Sequence, residues 1–546
     1  MSQMITAGQA IVQMLVRNGV DTVFGLPGAQ MYELFEGLFN QQNRIKLIGA
    51  RHEQGIGYMA FGYARSTGRL GVYSPVPGPG MLNTTAALCT ALGSCTPVLC
   101  LTGEVPRAFK GKGRGHLHEL PDQIGILERL TKWARHMENF SAVGRDVNAA
   151  IEQALSGKFG PVALSMCWDT FSDKGPDELP SALKLPPPQQ PDPDELEAAV
   201  RLIQSARHPM IFVGSGAQHA ANEVQMLAAR LQAPVVGFRG GRGILGEDQE
   251  LGLSMAAARE LWEDTDLIIG IGSRVEIPYM RWGGMLEYRD HIPGKQLIRM
   301  DTDPLELEKL DTAAPILADS ALGTAALTRL LADEGFQASD RSDAMLQAKA
   351  TAAEKIRECQ PQMAYLDVIR EVLPRDGFFV EELCQVGFAS YFGFPVYQPR
   401  TYISSGYQGT LGFGFPTALG VKVAHPDKAV VSITGDGGFM FAVQELATAV
   451  QYNIATVTIV FNNNAYGNVM RDQQMRYNGH VIGSQLTNPD FVSLAENFGA
   501  IGMRASTPTE LRPVLDKALG LNRPVVIEVP LNLSDESIPW KFIHTP

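Results

Sequence analysis

The sequence lacks an excess of positive charge. Its 46 lysines and arginines stand against 58 aspartates and glutamates, so the formal net charge is −12. Proteins that bind nucleic acid usually carry a basic patch or stripe, and no lysine- or arginine-rich run is present here. No basic amphipathic helix is present that would favour a membrane surface. We therefore expect neither a nucleic-acid partner nor a membrane partner.

Long apolar runs and paired cysteines are also missing. No stretch of about 18 uninterrupted apolar residues occurs, so no membrane-spanning helix is predicted. The first residues lack the pattern of a secretory signal peptide, and we expect a cytoplasmic protein. The six cysteines are scattered without the C-x-x-C spacing of a metal site, as is typical of buried thiols in a reducing compartment.

The length of the chain predicts several domains. Its 546 residues suggest roughly three to four domains of about 150 residues each. Residues 172–195 are rich in proline and acidic side chains and are predicted to be a linker. Residues 336–358 are polar and rich in alanine, and we expect them to become helical only near their end. These two stretches divide the chain into pieces 1–180, 190–335 and 355–546, each within the usual size of a domain.

Each piece alternates strand-like runs with helix-like runs. In the third piece, for example, a predicted strand over 429–434 precedes a helix over 441–452 and a second strand over 456–461. Such alternation is typical of α/β domains, in which mostly parallel sheets are covered by helices on both faces.

The most specific chemical signal is the tetrapeptide at 435–438, Gly-Asp-Gly-Gly, which follows a predicted strand. Glycines allow a ligand to approach the backbone, and the next helix offers free N–H groups to an anion. Two asparagines, Asn462 and Asn463, follow the next strand after an interval of 24 residues. Neighbouring parallel strands would bring them close to Asp436. A carboxylate, an amide oxygen and a backbone carbonyl are ligands that Mg²⁺ accepts while it also holds phosphates. This spacing favours a metal–phosphate site over a glycine-rich turn with solvated asparagines.

This spacing resembles the diphosphate motif of thiamine-diphosphate-dependent enzymes, and the whole chain resembles their acetolactate synthase and benzaldehyde lyase branch. The resemblance implies three doubly wound α/β domains, which are pyrimidine-binding, central and diphosphate-binding. It further implies thiamine diphosphate and Mg²⁺ as cofactors, and a homodimer or homotetramer with active sites between subunits. The other matching segments are Phe24–Gly28, Arg51–Glu53, Gly78–Gly80, Asn83, Thr102–Gly103 and Ser405–Gly412.

The resemblance also implies roles for residues near the cofactor rings. By position alone, Glu53 would be a helix-terminus charge, but its counterpart hydrogen-bonds N1′ of the aminopyrimidine and does acid–base work there. Leu411 matches the apolar wedge between the two rings, and the backbone carbonyl of Gly409 would hold the 4′-amino group. Gly78 and Asn83 belong to the same pyrimidine-binding part.

At the diphosphate end, the resemblance implies that Asp436, Asn463 and the backbone oxygen of Ala465 bind Mg²⁺. The remaining diphosphate contacts that it implies are Gly437, Gly438 and Gln385.

Two residues are expected to face the substrate. Gln30 falls where benzaldehyde lyase-like members carry a histidine and acetolactate synthases a small residue. His118 falls where relatives carry a glutamine of the catalytic pocket. A histidine there would donate to a carboxylate or shuttle a proton; the alternative is an exposed loop histidine.

Several departures from the family limit the predicted reaction. The chain has no adjacent His-His pair, unlike typical pyruvate decarboxylases. The tryptophan of biosynthetic acetolactate synthases is replaced near Arg471 and Asp472, which argues against the branched-chain role. In acetolactate synthases the central domain holds FAD, but here the Met-His-Gly segment is replaced by residues 252–255, Gly-Leu-Ser-Met. Although Arg274 is kept, we expect no FAD.

The resulting expectation is a carboligase. It would decarboxylate a small 2-keto acid such as pyruvate and join the remainder to an aldehyde or ketone, which gives a 2-hydroxyketone. The alternatives are a 2-hydroxyketone lyase or a simple 2-keto acid decarboxylase. A more remote alternative is an inactive homologue that serves as a binding or regulatory subunit.

Overall fold

The computed structural model describes residues 3–544 and contains three six-stranded sheets in succession along the chain. All neighbouring strands within these three sheets run parallel. The predicted α/β class with three doubly wound parallel sheets is confirmed. None of the helices in residues 3–544 is long and apolar enough to cross a membrane.

The first sheet has the strand order β3-β2-β4-β5-β7-β6. Its first helix is capped by Thr6, whose hydroxyl accepts the backbone N–H of Gln9 while the Gln9 side chain accepts from Thr6. A separate antiparallel pair joins β1, at the start of the chain, to β8, which lies inside the predicted linker 172–195. The strands and helices of this part are β1 Met4–Thr6, α1 Ala7–Arg17, β2 Thr22–Gly25, α2 Tyr32–Asn40, β3 Lys46–Gly49, α3 Glu53–Thr67, β4 Gly71–Ser74, α4 Pro79–Asn83, α5 Thr85–Gly93, β5 Val98–Glu104, α6 Gln123–Leu130, β6 Trp133–Met137, α7 Val143–Leu155, β7 Val162–Cys167, α8 Trp168–Phe171 and β8 Lys174–Pro176.

The second sheet has the order β11-β10-β9-β12-β13-β14. The chain reverses its direction of winding between β9 and β12, which is where ligands bind in open parallel sheets. The elements are α9 Pro193–Ser205, β9 Pro209–Val213, α10 Ala221–Leu231, β10 Val235–Gly237, β11 Gly252–Leu253, α11 Met255–Glu260, β12 Leu267–Ile271, β13 Gln296–Asp301, α12 Pro304–Leu307, β14 Ala314–Leu317 and α13 Ser320–Asp333.

The third sheet has the order β16-β15-β17-β18-β20-β19. Its elements are α14 Ser342–Ile356, α15 Gln362–Val372, β15 Phe378–Val380, α16 Gln385–Gly393, β16 Tyr402–Ile403, α17 Gly414–Ala424, β17 Val430–Gly435, α18 Asp436–Met440, α19 Glu445–Gln451, β18 Val457–Asn462, α20 Gly467–Arg476, α21 Phe491–Asn497, β19 Ile501–Arg504, α22 Pro508–Gly520, β20 Val525–Pro530 and α23 Trp540–Ile543.

Two predicted helices differ from the structure. The predicted helix over 441–452 is shortened to α19 at 445–451, because a separate short helix, α18 at 436–440, begins directly at the strand end and the chain then turns. The segment 336–358 is helical over most of its length as α14, not only near its end. Its alanines at 348 and 352 are buried, so packing favours the longer helix.

The first and third domains pack through α3 and α17. Phe413, at the start of α17, meets the rings of Tyr58 and Phe61 edge-on with centroids 5.4 Å away in both cases. Gly62 allows this approach, because a Cβ there would overlap the backbone of the facing helix at Thr417. Apolar side chains from both domains form one continuous core here.

Candidate functional site

The carboxyl ends of β17 and β18 meet at one edge of the third sheet. Gly435 pairs with Phe461, so Asp436, directly after β17, and Asn462, the last residue of β18, lie next to each other. The side-chain amide of Asn488 joins them: its nitrogen is 2.6 Å from Asp436 Oδ2 and 3.0 Å from Asn462 Oδ1. The structure therefore brings the two sequence motifs together, and it adds Asn488, which the sequence pattern did not reveal.

Asp436 is a buried carboxylate, with 2% of its surface exposed. Burial raises its pKa above the ordinary value, and the hydrogen bond from Asn488 partly offsets this. Within residues 3–544, no lysine, arginine or histidine forms an ion pair with this carboxylate. A buried carboxylate without a cationic partner is costly, and a divalent cation would compensate it. The residues present thus fit Mg²⁺.

The other two predicted metal ligands lie on the turn after β18. Asn463 Oδ1 accepts the backbone N–H of Ala465 at 3.2 Å, and its Nδ2 donates to Glu536 Oε2 at 2.9 Å. Glu536 is itself paired with Arg471 at 3.5 Å. These contacts fix the orientation of the Asn463 amide, and its oxygen, Oδ1, faces the turn. Metal ligation by Asn463 and Ala465 stays a prediction.

The predicted diphosphate contacts come from the starts of two helices. Gly437 and Gly438 lie in the first turn of α18, and Gln385 is the first residue of α16. Gln385 is 3% exposed, and its Oε1 is buried without a hydrogen-bond partner in the described chain. A buried amide with an unsatisfied atom fits a polar ligand at this point.

The predicted wedge lies on a loop with three left-handed glycines. Gly406, Gly409 and Gly412 have φ values of 66°, 58° and 77°, which residues with a Cβ rarely adopt. Leu411 is half-buried. The loop ends against Glu382, whose carboxylate accepts the backbone N–H of Gly412. Glu382 was missed in the sequence, although it follows a strand that neighbours β17 and is a charged residue in an apolar stretch.

At the end of the site opposite the predicted diphosphate contacts, Glu53 is the first residue of α3 and is half-buried. Its Oε2 accepts a hydrogen bond from Asn83 Nδ2 at 3.0 Å. A Cβ at Gly80 would lie 3.2 Å from Glu53 Oε1, so the glycine leaves this carboxylate accessible. Glu445 of the third domain accepts the backbone N–H groups of residues 51 and 52, which anchors the turn before Glu53.

The two predicted substrate residues form a hydrogen-bonded pair. Gln30 is fully buried, donates its Nε2 to the carbonyl of Leu117 at 2.8 Å, and has its Oε1 3.1 Å from His118 Nδ1. Because an amide oxygen only accepts, this pairing requires the proton of His118 to be on Nδ1. Burial lowers the pKa of His118, and the charge of Glu53 partly offsets the shift, so these side chains lie within electrostatic reach.

A buried glutamine, Gln123, holds the turn of Gly78, against which the His118 loop packs. Gln123 donates to the Gly103 carbonyl at 2.7 Å and accepts the Gly78 N–H at 2.9 Å. Gly78 has φ 62°, and a Cβ there would lie 2.5 Å from the His118 carbonyl oxygen. The glycine therefore allows the His118 loop to approach the turn of Gly78.

The central domain opens into a cavity of about 930 Å³ at the point where its winding reverses. The first domain contributes Arg65, the central domain Gly214, Arg274 and Asp301, and the third domain Tyr407. The Arg274 guanidinium stacks on the Tyr407 ring at 4.8 Å from its centroid. Residues 252–255 do not line this cavity.

Comparison with protein families assigns all three domains. Residues 5–126 match the N-terminal thiamine pyrophosphate (thiamine diphosphate) binding domain of thiamine pyrophosphate enzymes. Residues 196–330 match the central domain of these enzymes, and residues 384–529 match their C-terminal thiamine pyrophosphate binding domain.

Curated relatives cover nearly the whole chain. An acetolactate synthase large subunit of Haemophilus influenzae is 30% identical over 98% of this chain and 96% of its own length. A probable 2-ketoarginine decarboxylase of Pseudomonas aeruginosa is 31% identical over 96% of this chain and 94% of its own. A probable acetolactate synthase large subunit of Methanocaldococcus jannaschii is 31% identical, with 97% and 92% covered.

Proposed function

Because the chain belongs to the thiamine pyrophosphate enzymes, which make or break C–C bonds next to a carbonyl, we propose that it is a carboligase. It decarboxylates a small 2-keto acid such as pyruvate and joins the remaining group to an aldehyde or ketone. The product is a 2-hydroxyketone, as in the acetolactate synthases that the chain resembles. When bound, thiamine diphosphate supplies the reactive carbon and the electron sink for this chemistry.

The observation that carries the proposal is the Gln30–His118 pair within electrostatic reach of Glu53. Since Gln30 holds the Nδ1 proton and the pKa of His118 is lowered, the ring is mostly neutral near pH 7 and Nε2 is a hydrogen-bond acceptor. This atom suits contact with the hydroxyl group of a 2-hydroxyketone. Because Nε2 of His118 carries no proton, it does not protonate the reacting carbon before the acceptor substrate binds.

Residues at both ends of the site would bind the cofactor, its aminopyrimidine ring at one end and its diphosphate at the other. Glu53, held by Asn83, would hold and exchange a proton at N1′ of the aminopyrimidine ring. Asp436 would supply the charge that binds Mg²⁺, and Asn463 and the backbone oxygen of Ala465 would be the other protein ligands. Gln385 and the glycines of the α18 turn would contact the diphosphate.

The runner-up is a 2-hydroxyketone lyase or a simple 2-keto acid decarboxylase. The Pseudomonas relative, named as a probable 2-ketoarginine decarboxylase, supports this alternative. A simple decarboxylase needs a proton donor for the reacting carbon, whereas a carboligase joins that carbon to the acceptor instead. An inactive binding or regulatory homologue is the remote alternative, and the grouping of Glu53 with Asn83 and of Asp436 with Asn488 argues against it.

For the central domain we propose that no FAD is bound. Residues 252–255 lack the family's Met-His-Gly segment, and Met255 is fully buried in the domain core instead of facing the cavity. A colourless purified protein that retains activity after exhaustive dialysis is the expected result. A yellow protein that loses activity when its flavin is stripped would contradict it.

We further propose a cytoplasmic homodimer or homotetramer in which one subunit supplies Glu53 and its partner supplies Asp436 to each site. In the family that the chain resembles, these two halves of a site come from different chains. An isologous dimer then contains two identical sites, and each needs both subunits.

The deciding experiment is a panel of 2-keto acids, each offered alone and with aldehydes or ketones, with products identified by mass spectrometry. We expect 2-hydroxyketones as the main products when an acceptor is present. Aldehyde as the sole product across the panel would establish the decarboxylase alternative. Supplying 2-hydroxyketones alone tests the lyase, because cleavage would release aldehydes without any 2-keto acid.

A further inference from the structure

Glu382 is a buried carboxylate bound to the loop that carries Leu411. Only 1% of the residue is exposed. One carboxylate oxygen accepts the backbone N–H of Gly412 at 2.6 Å, and the other accepts that of Gly414 at 2.7 Å. Both oxygens thus hold the end of this loop, directly after the predicted wedge residue.

The same carboxylate also borders the diphosphate turn. A Cβ at Gly438 would overlap Glu382 Oε1, and the hydroxyl of Thr434 lies 3.0 Å from that same Cβ position. Glu382 therefore fills the space between the Leu411 loop and the turn at the end of β17. One side chain sets the separation of two segments that are predicted to contact opposite ends of one cofactor.

A purely structural role explains this residue poorly. Burial raises the pKa of Glu382 to about 7, and only hydrogen bonds, chiefly from the backbone N–H groups of Gly414 and Gly412, offset that cost. Apolar side chains of similar size fill buried space at lower cost. Hydrogen bonds from N–H groups to a carboxylate are, however, stronger than those to neutral acceptors and fix loop geometry.

We propose that Glu382 is a positioning residue, which holds the Leu411 loop at a fixed distance from the Gly437–Gly438 turn so that thiamine diphosphate binds in its reactive conformation. This inference rests on the proposed cofactor site, but it does not depend on which 2-keto acid is used. Glu382 acts through the backbone of Gly412 and Gly414.

The test compares Glu382→Gln with Glu381→Gln. The first variant presents an amide NH₂ to a backbone N–H, so one of the two loop bonds is lost. The second changes a neighbouring carboxyl that is also fully buried but accepts from the Tyr391 hydroxyl at 3.2 Å. Three quantities are measured: hydrogen exchange of residues 406–414 without cofactor, the Kd for thiamine diphosphate with Mg²⁺, and exchange of the C2 proton at saturating cofactor.

We expect Glu382→Gln to speed hydrogen exchange of the loop, to raise the Kd at least about tenfold, as for one lost hydrogen bond to a charged group, and to slow C2 exchange. Glu381→Gln should leave all three unchanged. Glu382→Asp, which keeps the charge but is one methylene shorter, should give intermediate values, and it carries the test if Glu382→Gln does not fold. Wild-type loop exchange and Kd in a folded Glu382→Gln variant would overturn the proposal. If the substrate panel fails but these shifts appear, the positioning role stands and only the proposed reaction is wrong.

Discussion

The Asn83 amide donates to the Glu53 carboxylate over 3.0 Å, and this bond joins two segments of the first domain that the sequence separates by 30 positions. It leaves the second carboxylate oxygen, Oε1, facing Gly80, which has no side chain to cover it. One oxygen is therefore held while the other remains open to a ligand. A catalytic carboxylate needs this arrangement, because it must be oriented and still exchange a proton.

Replacing Glu53 by glutamine should keep the fold and cofactor binding but slow C2 proton exchange by about 10²–10⁴-fold, the usual contribution of one acid–base group. Glutamine still hydrogen-bonds the ring but does not exchange the proton. NMR of deuterium exchange at C2 of the bound cofactor measures this. The exposed Glu128→Gln variant on α6 is the control. Unchanged exchange in Glu53→Gln would remove this residue from the proposed site.

Replacing Asp436 by alanine should abolish retention of thiamine diphosphate in Mg²⁺ buffer. Mutating a residue that only supports a metal ligand lowers metal affinity by about 10–100-fold. Loss of the charged ligand itself should therefore lower the affinity by more than about 100-fold. Titration calorimetry with cofactor and Mg²⁺ measures the loss. Asp427→Ala, an exposed carboxylate on the turn before β17, should bind like wild type. Wild-type affinity in Asp436→Ala would show that the metal site is elsewhere.

Mixing the two inactive variants tests the shared site. Chains with Glu53→Gln and chains with Asp436→Ala each lack one half of every site. In a mixed dimer one site collects both defects and the other collects neither, so random pairing of equal amounts should restore about a quarter of wild-type activity. Activity is measured after the chains are unfolded and refolded together. A monomer with full activity, or no recovery in proven mixed dimers, would contradict the proposed assembly.

Replacing His118 by alanine should lower kcat/KM for 2-hydroxyketone formation by about 10–150-fold. This is the loss expected for one hydrogen bond to a group that is charged or becomes charged during the reaction. Because burial lowers the pKa of His118 below 6.5, the ring gains a proton only on the acid side of that value. The acid limb of the pH profile should therefore fall below pH 6.5 and disappear in the variant. His116→Ala, on the same loop but bonded to the Leu117 carbonyl, is the control.

The buried carboxyl of Glu381 predicts a pH dependence of stability. Burial raises its pKa from the ordinary 4.5 to about 8, although the charge of Arg239 and the bond from Tyr391 lower it. The unfolded chain loses this proton near pH 4.5, whereas the folded protein keeps it up to about pH 8. The resulting stability is complete below pH 4.5 and is lost as the pH rises to about 8.

Glu381→Gln stays neutral over this range, so its Tm relative to wild type should rise steadily from about pH 5 to about pH 8. Thermal unfolding at several pH values measures the difference. The exposed Glu354→Gln on α14 should show a constant offset. A pH-independent difference for Glu381→Gln would mean that this carboxyl is already ionised in the folded protein.

The fold was predictable because its signals are local. The alternation of strands and helices and the glycine turns at strand ends indicated parallel α/β domains, and the three sheets confirm that class. The break between α18 and α19 was not predictable, because tight packing of a turn on the rest of the chain leaves no periodic pattern.

The site was predictable only where motif spacing carried information. Asp436 and Asn462 come together because neighbouring parallel strands end at one edge, which the sequence order already indicated. The contacts of Asn488 with Asp436 and of Glu382 with Gly412 join residues that no periodic pattern connects. The Gln30–His118 pair spans 88 positions, and only the folded chain shows that these two residues touch.

The shared core of α3 and α17 has a consequence for how the protein is made. Tyr58 and Phe61 are fully buried partly by Phe413, which the ribosome adds about 350 residues later. At about 5–20 residues per second, the apolar face of α3 stays without this cover for roughly 20–70 s during translation. The first domain therefore cannot complete its core while it is being synthesised. A chain truncated before residue 413 would expose that face and be a ready substrate for chaperones and proteases.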